Sequence, residues 1–166
     1  MAHKPMPELS LTGRCQCGQL TYRVTQQPTT LYCCHCTECQ GQASSAFGMT
    51  LLVPADGIEI SGPHQGFVRD AGSPNAVEGV FCPQCGTRVV HLGRGTDSTS
   101  GVKAGTLDDK SWLHPVGHIW TDSAQRWLQL DGLIYGKQPQ DNCGALIRAF
   151  EKQNALANSK SAENGA

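Results

Sequence analysis

The amino-acid sequence predicts a mainly β fold of short antiparallel strands, with a helix near the C-terminus. Two observations predict the strands: apolar residues alternate with polar ones in brief runs, and Gly, Pro, Asp and Ser separate the runs. A third bears on how such a fold holds together. Apolar residues are only 39% of the 166, glycine reaches 19 and cysteine nine, so the core is lean and another clamp is needed. A chain of this length supports one core. Residues 9–150 are predicted as a single domain, and residues 151–166 as a helix end followed by a disordered tail.

In chain order, residues 9–12 and the alternating Leu20, Tyr22 and Val24 flank "CQCG", which predicts a hairpin with cysteines at its turn. "TTLYCC" reads as a strand that delivers a second cysteine cluster, and "SSAFGMTLLV" as a longer strand stopped by Pro54. "GIEIS", "QGFVR", "VEGVF", "TRVVHL" and "VGHIW" continue the pattern. Residues 97–101 are predicted as an exposed loop. "DSAQRWLQL" has room for a turn or two of helix. In "GALIRAFEKQNALA" the spacing of Leu146, Ile147 and Phe150 predicts a helix, with Asp141 or Asn142 as its cap.

Charge excludes some functions. Lys plus Arg number 13 against 14 for Asp plus Glu, a net charge of -1 with no block of either sign. That disfavours nucleic acid, which needs a concentrated basic surface, and no segment has the length and apolarity to cross a membrane. The N-terminal stretch lacks the apolar run of a secretory signal, so a cytoplasmic location is expected. Eight of the nine cysteines fall in close groups. In a reducing compartment such thiols are worth more as metal ligands than as disulfides.

"FCPQCGT" is the clearest local signal. Cys82 and Cys85, three positions apart and followed by Gly86, make a knuckle that supplies half of a tetrahedral zinc site. The other half comes from Cys15 and Cys17 or from the cluster "YCCHCTECQG". Within that cluster Cys34, Cys36 and Cys39 can approach one ion. Cys33 points opposite to Cys34 if the strand persists. Spacing leaves three arrangements open: an open three-thiolate site, a shell closed by Cys33 or His35, or a cluster sharing two metals.

Together, "GRCQCGQLTYRV", "CCHCTECQG", "FCPQCGT", "AGTLDD" and "HIWTDSAQRW" resemble the glutathione-dependent formaldehyde-activating family, whose zinc-bearing β domain is similar to the Mss4-like fold. The resemblance runs over roughly residues 11–130 with the blocks in order. It implies that Cys15, Cys17, Cys82 and Cys85 bind a structural zinc, and that Cys34, Cys36 and Cys39 bind a second zinc of catalytic type, for which a substrate thiolate can compete with the protein thiolates so that it can be labile. It implies a carbon-sulfur lyase activity that joins glutathione to formaldehyde, giving S-hydroxymethylglutathione, or reverses that step. The partners would be a small thiol and a small aldehyde or their adduct, without nucleic acid or membrane. Other readings are a related zinc enzyme acting on another small thiol, and a non-catalytic zinc module that binds a protein.

Several residues carry a functional reading beside a structural one. His35 is a weak candidate for proton transfer, against a second-shell histidine. Asp108 and Asp109 either position a substrate amine or hold a turn. His118, Trp120 and Trp127 either border a cleft or finish the core. Arg69, Arg88, Arg94 and Arg126 are candidates for a carboxylate clamp. At Gln40 and Gly79 the chain departs from relatives, which frequently carry a basic residue there, so charge expected for glutathione is missing from both positions. Cys143 reads as a stray thiol.

Overall fold

The computed structural model describes residues 4–70, 76–93 and 98–164. In chain order its elements are β1 (Leu11–Arg14), β2 (Thr21–Val24), β3 (Thr30–Cys34), α1 (Thr37–Ala43), β4 (Gly48–Pro54), β5 (Ile58–Ser61), β6 (Gln65–Asp70), β7 (Ala76–Phe81), β8 (Arg88–Gly93), β9 (Thr99–Lys103), β10 (Gly117–Ile119), β11 (Leu133–Ile134) and α2 (Gly144–Asn164). The protein is mainly β-sheet with a C-terminal helix. Contacts divide it into two compact units, residues 8–28 with 51–110, and residues 1–7, 29–50 and 111–166.

In the first of these, β1 and β2 form the expected hairpin, with Leu11 opposite Val24 and Arg14 opposite Thr21. Leu20, Tyr22 and Val24 are fully buried, because alternation turns them all to one face. β5 pairs with β2 on its other side. β6, β7 and β8 pair in antiparallel succession, and β8 pairs with β9. Val80, Val90 and Val102 are buried and stand in register across three strands, each such side chain contributing about 1.5–3 kcal/mol. β9 occupies positions 99–101, where the sequence predicted a loop; Asp97 lies outside the described residues.

The other unit is organised around β10, which pairs with β3 on one side and β11 on the other. Both pairings are parallel, which corrects the expectation of antiparallel strands throughout. Parallel neighbours come from distant stretches of chain, a relation that local periodicity does not encode. α2 begins where Asp141 accepts a hydrogen bond from the Ala145 amide (2.8 Å), which caps an otherwise unpaired donor. Leu146, Phe150 and Ala157 share its buried face, as their spacing requires. Thr30 ties β3 to this helix by donating to the Leu146 carbonyl (3.1 Å). "DSAQRWLQL" holds only a 3-10 turn at Thr121–Ser123. Among the described residues no helix is long and apolar enough to cross a membrane.

Candidate metal centres

Two groups of thiols converge, and each lies within one unit. The first joins Cys15, Cys17, Cys82 and Cys85, whose sulfurs all lie within 4.8 Å of one another. On the β1–β2 turn the Cys15 amide donates to the Leu20 carbonyl (2.9 Å) and the Leu20 amide to Cys15 Sγ (3.3 Å). After β7 the Gly86 amide closes on the Cys82 carbonyl (2.9 Å). Gly86 has φ +72°, a dihedral that glycine adopts without steric cost. Thr87, which the sequence reading passed over, links the two turns: its hydroxyl accepts from the Gln16 amide (3.2 Å) and lies 3.2 Å from Cys85 Sγ. A threonine directly after the knuckle glycine was the available signal.

The donor set fits zinc. Zn–S bonds of about 2.3 Å in a tetrahedron put the sulfurs about 3.8 Å apart, and the Cys15–Cys17 and Cys17–Cys82 separations are 3.5 and 3.6 Å. The Thr87 hydroxyl, then its amide, bring Cys85 down to about 5. Although the Gln19 backbone favours the Cys17 thiolate, Cys15 and the other two thiols push Cys17 up to about 12. A cation bound among the four sulfurs would offset the charge of four thiolates.

The second group is Cys34, Cys36 and Cys39, again with sulfurs within 4.8 Å. Cys34 ends β3, Cys36 precedes α1 and Cys39 lies in its first turn. The helix itself was not expected, since its seven residues, TECQGQA, are mostly polar or glycine and give no apolar period. Its N-terminus is capped by the Cys36 sulfur, which accepts from the Cys39 amide (3.4 Å). Hydrogen bonding with Cys36 and Cys39, followed by burial, holds the Cys34 thiol far above its ordinary pKa. Here too a cation would favour the charged form.

Cys33 belongs to neither group. It is buried, and burial followed by the Asp131 charge pushes its thiol up to about 12. His35 is fully buried, and its Nε2 lies 2.9 Å from His118 Nδ1. His118 Nε2 in turn lies 3.7 Å from Asp131. Burial first and His118 second hold His35 below the usual histidine range. The His35 carbonyl accepts from Gln40 Nε2 and from Ser123 Oγ.

The remaining candidates separate. Asp108 accepts from Thr12 Oγ1 (2.8 Å) and Arg14 Nε (2.7 Å), fastening the chain after β9 to β1. Trp127 is 72% exposed, whereas Trp112, not singled out from the sequence, is buried. Trp120 is half-buried and donates to Gln138 Oε1 (3.3 Å). Arg126 is exposed, Asp109 is exposed and Cys143 is buried. Arg94 lies outside the described residues. Arg69 and Arg88 are near enough for one charge to act on the other.

Residues 10–123 match the model of the family described as "Glutathione-dependent formaldehyde-activating enzyme". The chain belongs to this family. The match includes all seven cysteines of both thiol groups and ends at Ser123, so Trp127 and α2 lie outside what the glutathione-dependent formaldehyde-activating family model covers. At the level of the family, membership ties the chain to glutathione and formaldehyde chemistry. No curated protein matches. Among solved structures, a protein of Rhodobacter sphaeroides is similar at 16% identity and a TM-score of 0.49, over 63% of this chain and 91% of that one.

Proposed function

We propose that the chain is a zinc-dependent enzyme of carbon-sulfur lyase type, forming or cleaving a thiol–aldehyde adduct such as S-hydroxymethylglutathione. The observation that carries this is the group Cys34, Cys36 and Cys39, to which no fourth Cys, His, Asp or Glu is joined among the described residues. Three thiolates suit zinc and leave one tetrahedral position for an outside ligand; when bound, zinc there would hold a substrate thiolate and polarise a carbonyl oxygen. In the forward direction the substrate sulfur bonds to the carbonyl carbon, and the oxygen takes the proton that the thiol gave up. The reverse breaks the same C–S bond.

The chain's own residues have separable parts in this. Cys34, Cys36 and Cys39 would hold the catalytic zinc. Three thiolates donate three negative charges, which suits capture of a sulfur better than activation of water. Cys15, Cys17, Cys82 and Cys85 would hold a second, closed zinc serving the fold, within the Mss4-like architecture that the family resemblance implies. His35 turns its ring to His118 and acts as a positioning residue for the loop between the ligands. Nine free cysteines suit a reducing cytoplasm.

One observation favours a thiol other than glutathione. Gln40 donates to two backbone carbonyls, so the position where relatives carry a base offers a carboxylate no charge. The test is formaldehyde consumption by fully zinc-loaded protein with glutathione and with a series of small thiols. A thiol-dependent rate above the uncatalysed one, lost in Cys36→Ala, is expected. No rate and no thiol binding in loaded protein would sink the proposal, and preference for another thiol would select the second reading.

A further inference from the structure

The hairpin β6–β7 and the strand β8 set a group of residues on one face that no thiol chemistry uses. Directly opposed residues of antiparallel strands point to the same side. By the register, Arg69 stands opposite Val77, and Phe67 opposite Gly79. Gly79 in turn stands opposite His91, and Phe81 opposite Arg88 after a shift in register. Two arginines and two phenylalanines thus share a face with a glycine between them.

Gly79 decides where Arg88 goes. A Cβ built on Gly79 would lie 1.9 Å from Arg88 Nη1 and 2.6 Å from Cζ. The guanidinium therefore rests on the Gly79 backbone, in space that any other residue would fill. It also lies 6.0 Å from the centre of the Phe81 ring.

Arg88 is half-buried, yet its guanidinium has no hydrogen-bond or ion-pair partner among the described residues. Its environment opposes its charge, through burial first and then the charge of Arg69. A partly desolvated guanidinium with no partner of its own is disfavoured unless an anion completes the site. Phe67, 55% exposed opposite Gly79, adds an apolar surface on the same side.

We propose that Arg88, seated on Gly79 with Arg69 nearby, binds an oxyanion of a small ligand, a carboxylate or a phosphate. The planar fork of Arg88 would take two oxygens at once, and Arg69 would add charge. The site is defined by charge and not by a thiol, so its test is kept apart from the lyase chemistry.

The experiment follows the Arg Nε–Hε signals of the full-length, zinc-loaded chain by NMR. One arm titrates γ-Glu-Ala-Gly, which has the carboxylates of glutathione and no thiol, and the other titrates inorganic phosphate. Saturable shifts of the Arg88 and Arg69 signals are expected with at least one of them, and the tighter ligand identifies the anion. Arg88→Gln should weaken binding about ten-fold or more, the loss expected for a charge-assisted fork. Gly79→Ala keeps both arginines but displaces the guanidinium, which is the far end of a flexible side chain, and should also weaken binding severalfold. Arg23→Gln, which removes an exposed arginine bonded to Ser10 (2.9 Å), should bind as the parent does. The proposal fails if neither ligand moves the Arg88 signal, or if both Arg88→Gln and Gly79→Ala bind unchanged. Should Arg88→Gln not fold, the parent titration and Gly79→Ala decide the matter.

Discussion

The side-chain amide of Gln40 donates to the backbone carbonyl of His35 at 2.7 Å. The same nitrogen donates to the Ser123 carbonyl (2.8 Å), and Ser123 Oγ donates to the His35 carbonyl (2.9 Å). A residue directly after the third cysteine of the open group is thus a clasp between α1 and the turn at Thr121–Ser123. Gln40→Ala removes a donor from both carbonyls, although that of His35 keeps Ser123 Oγ, and should cost about 1–2 kcal/mol, the range for a lost hydrogen bond with a part-buried acceptor. Gln40→Glu should cost more, because a carboxylate would face carbonyl oxygens. Urea unfolding measures both; parent-like stability in the pair would show that the clasp is dispensable.

Asp108 yields a pH dependence. The Arg14 bond, then that of Thr12, holds its carboxyl below the usual aspartate value. A carboxylate whose pKa is depressed by folding contributes stability above its unfolded value, near 3.9. That contribution is lost as pH falls through the folded value. The stability difference between parent and Asp108→Asn should therefore be constant from about pH 5 to 8 and shrink below about pH 4. Its size will be small, since Arg14 is largely exposed and solvent screens the pair. A difference that does not change with acid would mean that the clip adds nothing through its charge.

Local chemistry explains which parts were legible in the sequence. Leu20, Tyr22 and Val24 announce β2 by alternation, and Asp141 with Leu146 and Phe150 announces α2 by a cap and a period. α1 escaped notice because its capping group is the sulfur of Cys36, a residue type that carries no such signal. The parallel pairing of β10 with β3 escaped because His118 meets Cys33 across a long stretch of chain. Spacing could not choose among the cysteines of "YCCHCTECQG". The two groups that converge in space are those that the family resemblance named, and strand alternation sends Cys33 elsewhere. The seating of Arg88 on Gly79 depends on strand register, which neither residue reveals alone.

Loss of metal should affect the two thiol groups unequally. Binding to a structural tetrathiolate is worth on the order of 10 kcal/mol in small domains. A whole domain is stable by only about 5–15 kcal/mol, so Cys82→Ala is expected not to fold. Cys82 is fully buried, and its amide is bonded to the Thr87 carbonyl. Cys36→Ala should fold and retain one zinc per chain where the parent retains two. Cys33→Ala should retain both, since its sulfur lies outside either group. Metal analysis of zinc-loaded protein after desalting without chelator, with circular dichroism, checks all three; equal zinc content in Cys36→Ala and the parent would remove Cys36 from the ligand set.

His35 and His118 should be energetically coupled. His35 is shut off from solvent, and its Nε2 meets His118 Nδ1 at 2.9 Å. Phe47 also packs near the imidazole, with ring centroids 5.4 Å apart. Truncating His118 leaves a buried nitrogen without its partner, a cost of about 1–3 kcal/mol. Truncating both removes the unsatisfied group along with its partner, so the double variant should lose less than the sum of the singles. A coupling of at least about 1 kcal/mol in a double-mutant cycle of His35→Ala and His118→Ala is expected for residues in direct contact. Because His35 sits between Cys34 and Cys36, zinc retention should follow the same pattern: weakened in each single variant, and no weaker in the double than in His35→Ala alone. Strictly additive losses in stability would show that the two imidazoles do not act as a pair.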